Sequence, residues 1–177
     1  MFCRRIDVNL PLESVNVHDL RLVIAQVESN SRKAARAACD ELIAELRGAN
    51  GDIRISKAHS EDWVAVATVE DAAIGVDIEI DRPRPGLQRI SDFVELGANS
   101  SGEFWQRWTL REAIAKSVGG SVLIKEDIEA VLSAAAIRTG HWAHARQAAA
   151  LCGQLEERIY YSLVLNDLQS SEQILCA

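Results

Sequence analysis

The run from Ile74 to Ile80, with the sequence IGVDIEI, most constrains what this chain can fold into. It is apolar enough for a buried strand, yet it contains two acidic residues, Asp77 and Glu79, two positions apart. Because side chains alternate between the faces of a strand, both carboxylates point to one side and the flanking aliphatic residues to the other. Like charges side by side repel each other. This strand therefore requires a positive partner, for which a hard divalent cation is the simplest choice.

A helical pattern from Glu103 to Val118 supplies further charged groups. Glu112 and Lys116 are four residues apart and therefore share one face of the helix. A small apolar surface is available for packing the helix on the strand: Leu110, Ala113 and Ile114. If the helix packs there, Glu112 becomes a third oxygen ligand or a base, and Lys116 a positive group beside it. Mg²⁺ prefers a few carboxylates together with water and substrate phosphates.

The acidic residues also have a purely structural interpretation, which their spacing leaves open. Buried carboxylates are commonly neutralised by arginines, and Arg82, Arg107 and Arg111 are near in sequence. A salt-bridge network and a metal site are both compatible with this pattern.

Three elements in order resemble the signature of the 4′-phosphopantetheinyl transferases, especially the larger, surfactin-type branch. They are HSEDW at residues 59–63, GVDIE at residues 75–79 and FWQRWTLREAIAK at residues 104–116. The family signature reads roughly S-H-S-x-x-W, then G-(V/I)-D-(I/V)-E, then W-(S/T/C)-x-K-E-(A/S)-x-x-K. The resemblance covers residues 53–120 best and is thin over residues 30–47.

The resemblance implies Mg²⁺-dependent transfer of the 4′-phosphopantetheine arm from coenzyme A to a serine of an apo acyl or peptidyl carrier protein. Adenosine 3′,5′-bisphosphate is released, and the pathway is fatty-acid, polyketide or nonribosomal peptide biosynthesis. The implied residues are the metal ligands Asp77, Glu79 and Glu112, the catalytic residues Glu112 and Lys116, and the coenzyme A-binding residues His59, Arg32, Arg36 and Lys116.

Three departures from the family pattern keep other functions open. Ala58 stands where the family usually has Ser, Arg111 stands where it has Lys, and a Gly-Lys-Pro turn is missing upstream of His59. An Arg does not reproduce the reach or hydrogen-bond geometry of a Lys at a close contact. A pseudoenzyme that binds a carrier protein or coenzyme A is one alternative. An unrelated Mg²⁺-dependent phosphohydrolase is another.

Arg32 and Arg36 lie one turn apart near the start of an Ala-rich helix predicted for residues 31–47, which ends at Gly48. A solvated basic face is the simpler interpretation, and the resemblance instead implies a helix beside the coenzyme A phosphates. His59 is expected in a polar turn between two strands within Gly51 to Val69. It is either a surface residue or, as the resemblance implies, a contact of the 3′-phosphate.

The net charge of −7 argues against nucleic acid as the main partner. Because coenzyme A and carrier proteins are themselves acidic, the implied function needs a local basic patch. No apolar run approaches membrane-spanning length and the N-terminus lacks a signal-peptide core, so we expect no membrane partner. The four cysteines are dispersed, which favours a cytoplasmic chain with reduced thiols.

The order of helical and strand patterns predicts an α+β fold, and the resemblance implies two similar lobes with pseudo-twofold symmetry, each a small sheet packed by a helix. The expected lobes are residues 1–73, for the nucleotide end of coenzyme A, and residues 74–177, for the metal site and the carrier protein. Two lobes in one chain are compatible with a monomer. Other predicted elements are strands at Ile6–Leu10 and Arg158–Leu165, a helix at Leu87–Leu96, an apolar segment at Leu20–Val27 and mixed apolar segments at Ile124–Ala136 and Gln147–Leu155. His141 and His144 flank Trp142, without a third metal ligand nearby.

Overall fold

Two four-stranded antiparallel sheets and three α-helices make up the described part of the chain. The structure, a computed structural model, describes residues 2–47, 53–93, 96–120, 140–145 and 148–166. The mixed α+β fold of two similar lobes is confirmed. The predicted segment Ile124–Ala136 and the helix end at Gly48 lie outside the described residues.

The first sheet, sheet A, has the strand order β1-β2-β4-β3. Its strands are β1 Phe2–Asp7, β2 Arg21–Val27, β3 Arg54–Ser60 and β4 Trp63–Val69. Helix α1, Arg32–Arg47, packs on one face of this sheet through side chains spaced as on one helical stripe: Ala35, Ala38, Cys39, Leu42 and Leu46. Ser31 caps the helix, because its Oγ accepts a 3.2 Å hydrogen bond from the Ala34 N–H. The exposed stripe of α1 carries its arginines.

The second sheet, sheet B, has the strand order β5-β8-β7-β6. Its strands are β5 Ala73–Ile80, β6 Trp142–Ala145, β7 Ala148–Leu155 and β8 Ile159–Asn166, and its helices are α2 Leu87–Phe93 and α3 Ser101–Ser117. Ser100 caps α3 by accepting a hydrogen bond from the Glu103 N–H. Gly119, at a φ of 65°, ends the helix in the left-handed conformation that glycine adopts readily.

The two sheets share one apolar core. The aliphatic face of β5, including Val76 and Ile78, lies in this core with Leu22 of sheet A and Leu163 of sheet B. The alternation expected from IGVDIEI is therefore confirmed. Both faces of β5 are covered, because α3 packs on the opposite face.

Gly75 allows the close approach of α3 to β5. A Cβ atom built on Gly75 would collide with the carbonyl oxygen of Ala113 and lie 2.7 Å from the amide nitrogen of Ser117. Real side chains do not tolerate such contacts with backbone. The helix can thus lie directly on the strand, and the apolar docking surface expected on α3 is confirmed by the burial of Leu110, Ala113 and Ile114.

Several boundaries differ from the sequence-based expectations. His59 lies in strand β3 and not in a turn, because β3 stays paired with β4 up to Ser60 and Trp63. Strand β1 begins at Phe2, where an edge strand with mostly exposed residues gives no apolar alternation. Helix α3 begins at Ser101 because its cap is Ser100. The division of roles between residues 1–73 and 74–177 stays a prediction. Among the described helices, none is both long enough and apolar enough to cross a bilayer.

Candidate active site

A partly buried contact between Asp77 and Lys116 joins β5 to α3. The Lys116 Nζ donates a 2.7 Å hydrogen bond to Asp77 Oδ1 and a 3.0 Å hydrogen bond to the Val76 carbonyl oxygen. The Asp77 side chain is 5% exposed, whereas that of Lys116 is 34% exposed. Because α3 lies directly on Gly75, the lysine reaches the carboxylate from above the strand. These two hydrogen bonds fix the ammonium group, while the side chain that carries it remains partly accessible to solvent.

Glu79 is tied to the other sheet. Its Oε2 accepts a 2.6 Å hydrogen bond from Ser60 Oγ, which belongs to strand β3. A second serine of β3, Ser56, also contacts β5. Its Oγ accepts a 2.9 Å hydrogen bond from the Val76 N–H. Both serines face β5 because they are four positions apart on one strand. The sheets are therefore held together by polar contacts beside the carboxylates.

We call Asp77, Glu79 and Glu112 the acidic centre, because their charges act on one another. Burial raises the pKa of Asp77 to about 8 against the opposing charge of Lys116, and the negative charges of Glu112 and Glu79 raise it further. Burial also raises the pKa of Glu79, against its hydrogen bond from Ser60, and Glu112 adds to the rise. The pKa values of Asp77 and Glu79 thus stay raised in spite of the favourable contacts from Lys116 and Ser60.

The donor atoms of the acidic centre fit a hard cation. Asp77 Oδ2 is buried and has no hydrogen-bond partner, which is costly for a carboxylate oxygen. Within the described ranges, Glu112 is half-buried and its side chain makes no hydrogen bond. No group of three His, Cys, Asp or Glu side chains is close enough to coordinate an ion as it stands, among the residues described. Mg²⁺ needs only one or two carboxylates when water and phosphates complete its shell. Convergence of all three carboxylates on one ion stays a prediction.

Two of the arginines considered as structural partners are engaged elsewhere. Arg82 forms a 2.8 Å salt bridge with Glu61. Arg107 donates through Nη1 to the carbonyl oxygens of Leu96 and Gly97. Arg111, which replaces the lysine of the family pattern, is itself buried at 4% exposure.

A basic cleft of about 580 Å³ reaches His59, the residue next to the Ser60 that contacts Glu79, and so adjoins the acidic centre. Its lining residues come from α1 and β3: Arg32, Lys33, Arg36, Cys39, Lys57, Ala58 and His59. The structure thus brings together the three residues that the resemblance assigned to coenzyme A, Arg32, Arg36 and His59. No acidic side chain is among the lining residues, although Asp40 pairs with Lys57 at 3.0 Å. This cleft is a local basic patch on a chain of net charge −7.

A second cleft, of about 440 Å³, adjoins the basic cleft. It is lined by Asn30, Arg32, His59, Glu61 and Arg82, so the two clefts share Arg32 and His59. The acidic centre is adjacent as well. Burial raises the pKa of Cys39 in the basic cleft, and the charges of Lys57 and Lys116 oppose that rise. The charge of Lys116, which contacts Asp77, is therefore also felt at Cys39 in the basic cleft.

Sequence reasoning missed three site features. Ser60 is part of the HSEDW motif, but no contact was predicted for it. The alternation of β3, which places Ser60 on the buried face, is the signal that could have revealed its contact. Gly75 and Lys57 were not predicted as site residues either. No local sequence pattern reveals that a helix crosses the strand at Gly75 or that Lys57 lines a cleft. His141, just before β6, and His144, within β6, are both exposed. The described residues hold no metal-binding group around them.

The chain is similar in sequence to several curated proteins that share one name. The chain is 32% identical over 89 residues to the 4′-phosphopantetheinyl transferase AcpT of Salmonella typhi and of Salmonella typhimurium, with 44% of this chain and 46% of the relative covered. It is 33% identical over 75 residues to AcpT of Escherichia coli K12, with 36% and 38% covered. The similarity supports the 4′-phosphopantetheinyl transferase superfamily.

These matches are partial. The chain spans less than half the length of the curated relatives it matches. No protein-family model matches it. The assignment to the larger, surfactin-type branch stays a prediction.

Proposed function

We propose that this protein transfers the 4′-phosphopantetheine arm of coenzyme A to a serine of an apo acyl or peptidyl carrier protein. The observation that carries the proposal is the adjacency of the basic cleft and the acidic centre, which meet at the consecutive residues His59 and Ser60. Coenzyme A has a phosphorylated ribose at one end of a diphosphate, and it needs both a cationic cleft and a group that neutralises the diphosphate. The partial similarity to AcpT supports the same reaction.

Each part of the site has a role in this reaction. The basic cleft binds the 3′-phosphate through Arg32, Arg36 and His59, since the N–H groups of arginine and histidine donate hydrogen bonds to phosphate oxygens. Asp77 and Glu79, joined by Glu112, would hold Mg²⁺, which would neutralise charge on the diphosphate oxygens. Ser60 fixes the direction of the Glu79 carboxylate through its 2.6 Å hydrogen bond.

The transfer breaks one phosphorus–oxygen bond and forms another. The serine oxygen attacks the phosphorus that bears the pantetheine arm, and adenosine 3′,5′-bisphosphate leaves with the bridging oxygen. Glu112 accepts the serine proton directly or through water, because its side chain is half-buried and makes no hydrogen bond within the described ranges. Lys116 donates a hydrogen bond or a proton to the leaving phosphate. Its side chain is partly exposed and can turn from Asp77 toward the clefts.

Several finer features belong to the same proposal. The protein acts in the cytoplasm, depends on Mg²⁺ and follows the surfactin-type arrangement of two lobes in one monomeric chain. The carrier belongs to fatty-acid, polyketide or nonribosomal peptide synthesis.

Mass spectrometry of a carrier panel tests the proposal. The protein is incubated with coenzyme A, Mg²⁺ and several apo carrier proteins, and one of them should gain the mass of a single phosphopantetheine arm. Omission of coenzyme A and replacement of the carrier serine by alanine are the controls. Coenzyme A binding without any mass gain would indicate a pseudoenzyme, whereas cleavage of coenzyme A without a carrier would indicate a phosphohydrolase.

A further inference from the structure

The tip of the β3–β4 hairpin contacts the end of β5 through two consecutive residues. Ser60 donates to Glu79 at 2.6 Å, and Glu61 accepts a 2.8 Å hydrogen bond from Arg82 Nη1. The first contact orients a carboxylate of the acidic centre. The second contact orients an arginine just after it, and the proposed function gives that arginine no role.

Arg82 lies between the two halves of the site. It lines the second cleft together with Arg32 and His59, which also line the basic cleft. Its positive charge, like that of Arg84, also acts on Glu79. A ligand that extends from the basic cleft to the acidic centre therefore passes the Arg82 guanidinium.

The geometry of the Glu61–Arg82 pair leaves room for an anion. Within the described ranges Glu61 is the single hydrogen-bond partner of Arg82, and the bond uses Nη1 alone. A guanidinium has five N–H donors, so several remain for a planar, two-pronged contact with phosphate oxygens. The two side chains are 40% and 43% exposed, and a pair this exposed contributes little to folding stability. Its effect is mainly to direct the arginine.

We propose that Arg82 is a further phosphate-binding residue, which contacts the diphosphate of coenzyme A from the second cleft while Glu61 acts as its positioning residue. This inference rests on the proposed function. The diphosphate is the part of coenzyme A that must lie next to the acidic centre, and Arg82 is the cleft arginine nearest in sequence to Glu79. Without Glu61, the guanidinium can turn onto the Glu79 carboxylate and neutralise it.

Calorimetric binding of coenzyme A to the full chain tests the role of Arg82. Arg82→Gln should weaken binding about 10- to 100-fold, as expected for the loss of charge-assisted hydrogen bonds. Arg84→Gln is the matched control, since Arg84 is an exposed arginine of the same loop outside both clefts, and it should change binding less than about twofold. Equal effects of the two variants would overturn the assignment while leaving the proposed function intact. Absence of coenzyme A binding by the unaltered chain would overturn both.

A second ligand identifies the phosphate. Dephospho-coenzyme A lacks the 3′-phosphate but keeps the diphosphate, so Arg82→Gln should weaken its binding by the same factor as that of coenzyme A. A loss of the effect with dephospho-coenzyme A would assign Arg82 to the 3′-phosphate and overturn the diphosphate contact.

A double-mutant cycle tests Glu61 as the positioning residue. Glu61→Ala should weaken coenzyme A binding in the presence of Arg82 and have no effect in the Arg82→Gln background, because it acts through the arginine. Unfolding midpoints should stay unchanged in all variants of this exposed pair. Additive effects of the two substitutions would overturn the positioning role.

Discussion

The acidic centre and the basic cleft lie side by side but differ in how much of each is buried. Asp77 is buried, with 4% of its surface exposed, and Glu79 is half-buried. The cleft residues Arg32, Arg36 and His59 are exposed. Asp77 accepts a hydrogen bond from Lys116, and Glu79 accepts one from Ser60. The cationic residues of the cleft are repeated along one helix face and one strand.

The difference in burial predicts a difference in sensitivity. In a buried site each group has few partners and little water to replace a lost one, so a single substitution has a large effect. In an exposed cleft several cations share the task and solvent screens each of them, so single substitutions have small and graded effects. The predictions below test this contrast, beginning with the buried groups.

Removal of the Asp77 carboxylate should have the largest effect on transfer. Asp77→Ala should lower carrier modification by about 10³-fold or more, because the site loses its unpartnered oxygen and a main ligand for the cation. Folding should persist, since Lys116 is partly exposed and can be hydrated. Asp71→Asn, which alters a carboxylate paired with His18 away from the site, is the control and should keep activity. Wild-type turnover in Asp77→Ala would falsify the metal assignment.

A methyl group on Gly75 should separate the helix from the strand. Gly75→Ala introduces a Cβ atom that collides with backbone atoms of α3, and we expect a loss of stability of about 1–3 kcal/mol or more. Transfer should fall as well, because α3 carries both Glu112 and Lys116. Gly86→Ala is the matched control: its φ of 81° costs about 1 kcal/mol, but nothing lies within 4 Å of the added methyl. Comparable loss of transfer in both variants would show that helix position does not matter.

The raised pKa of Asp77 predicts a pH-dependent stability in the absence of divalent cations. The folded chain keeps a proton on this carboxyl up to about pH 8, whereas the unfolded chain releases it near its ordinary pKa of 3.8. The free energy of unfolding should therefore fall as the pH rises between about 4 and 8, and then level off. Relative to Asp77→Asn, which has no such group, the fall should be on the order of 1–5 kcal/mol. Parallel stability curves for the two proteins in chelator would contradict the prediction.

Local patterns in the sequence account for both motifs of the acidic centre. Alternation along β5 fixes the face of Asp77 and Glu79, and the four-residue spacing on α3 fixes the shared face of Glu112 and Lys116. The pairing of Lys116 with Asp77 then follows once the helix packs on the strand. The residues of each motif are close in sequence, so the periodicity of a single strand or helix is enough to predict which face they share.

Contacts between the sheets were not predictable in the same way. The run Lys57 to Asp62 is polar and resembles a loop, which is why His59 was expected in a turn. Its first four residues, Lys57 to Ser60, instead form the end of β3, where Ala58 and Ser60 are buried and Lys57 and His59 are exposed. The hydrogen bond from Ser60 to Glu79 depends on how the two sheets pack, and no pattern within either strand determines that packing.

The two serines of β3 separate orientation of the site from stability of the fold. Ser60→Ala should weaken Mg²⁺ affinity or transfer about 10- to 100-fold, because it frees the Glu79 carboxylate, with little change in stability. Ser56→Ala should instead lower stability by about 1–3 kcal/mol, since the buried Val76 N–H loses its acceptor, while transfer by the folded protein is retained. Denaturant unfolding and metal titration measure the two effects. The contrast fails if both serines change the same quantity.

Single substitutions in the basic cleft should have the smallest effects. Arg36→Gln should raise the KM for coenzyme A about 3- to 10-fold with kcat unchanged, because one exposed cation among several is lost. The increase should shrink at high salt, and adding Arg32→Gln should multiply it. Arg47→Gln removes the same charge at the far end of α1 and should leave KM unchanged. If Arg47→Gln raised KM equally, the effect would come from overall charge, and the cleft would not be the binding surface.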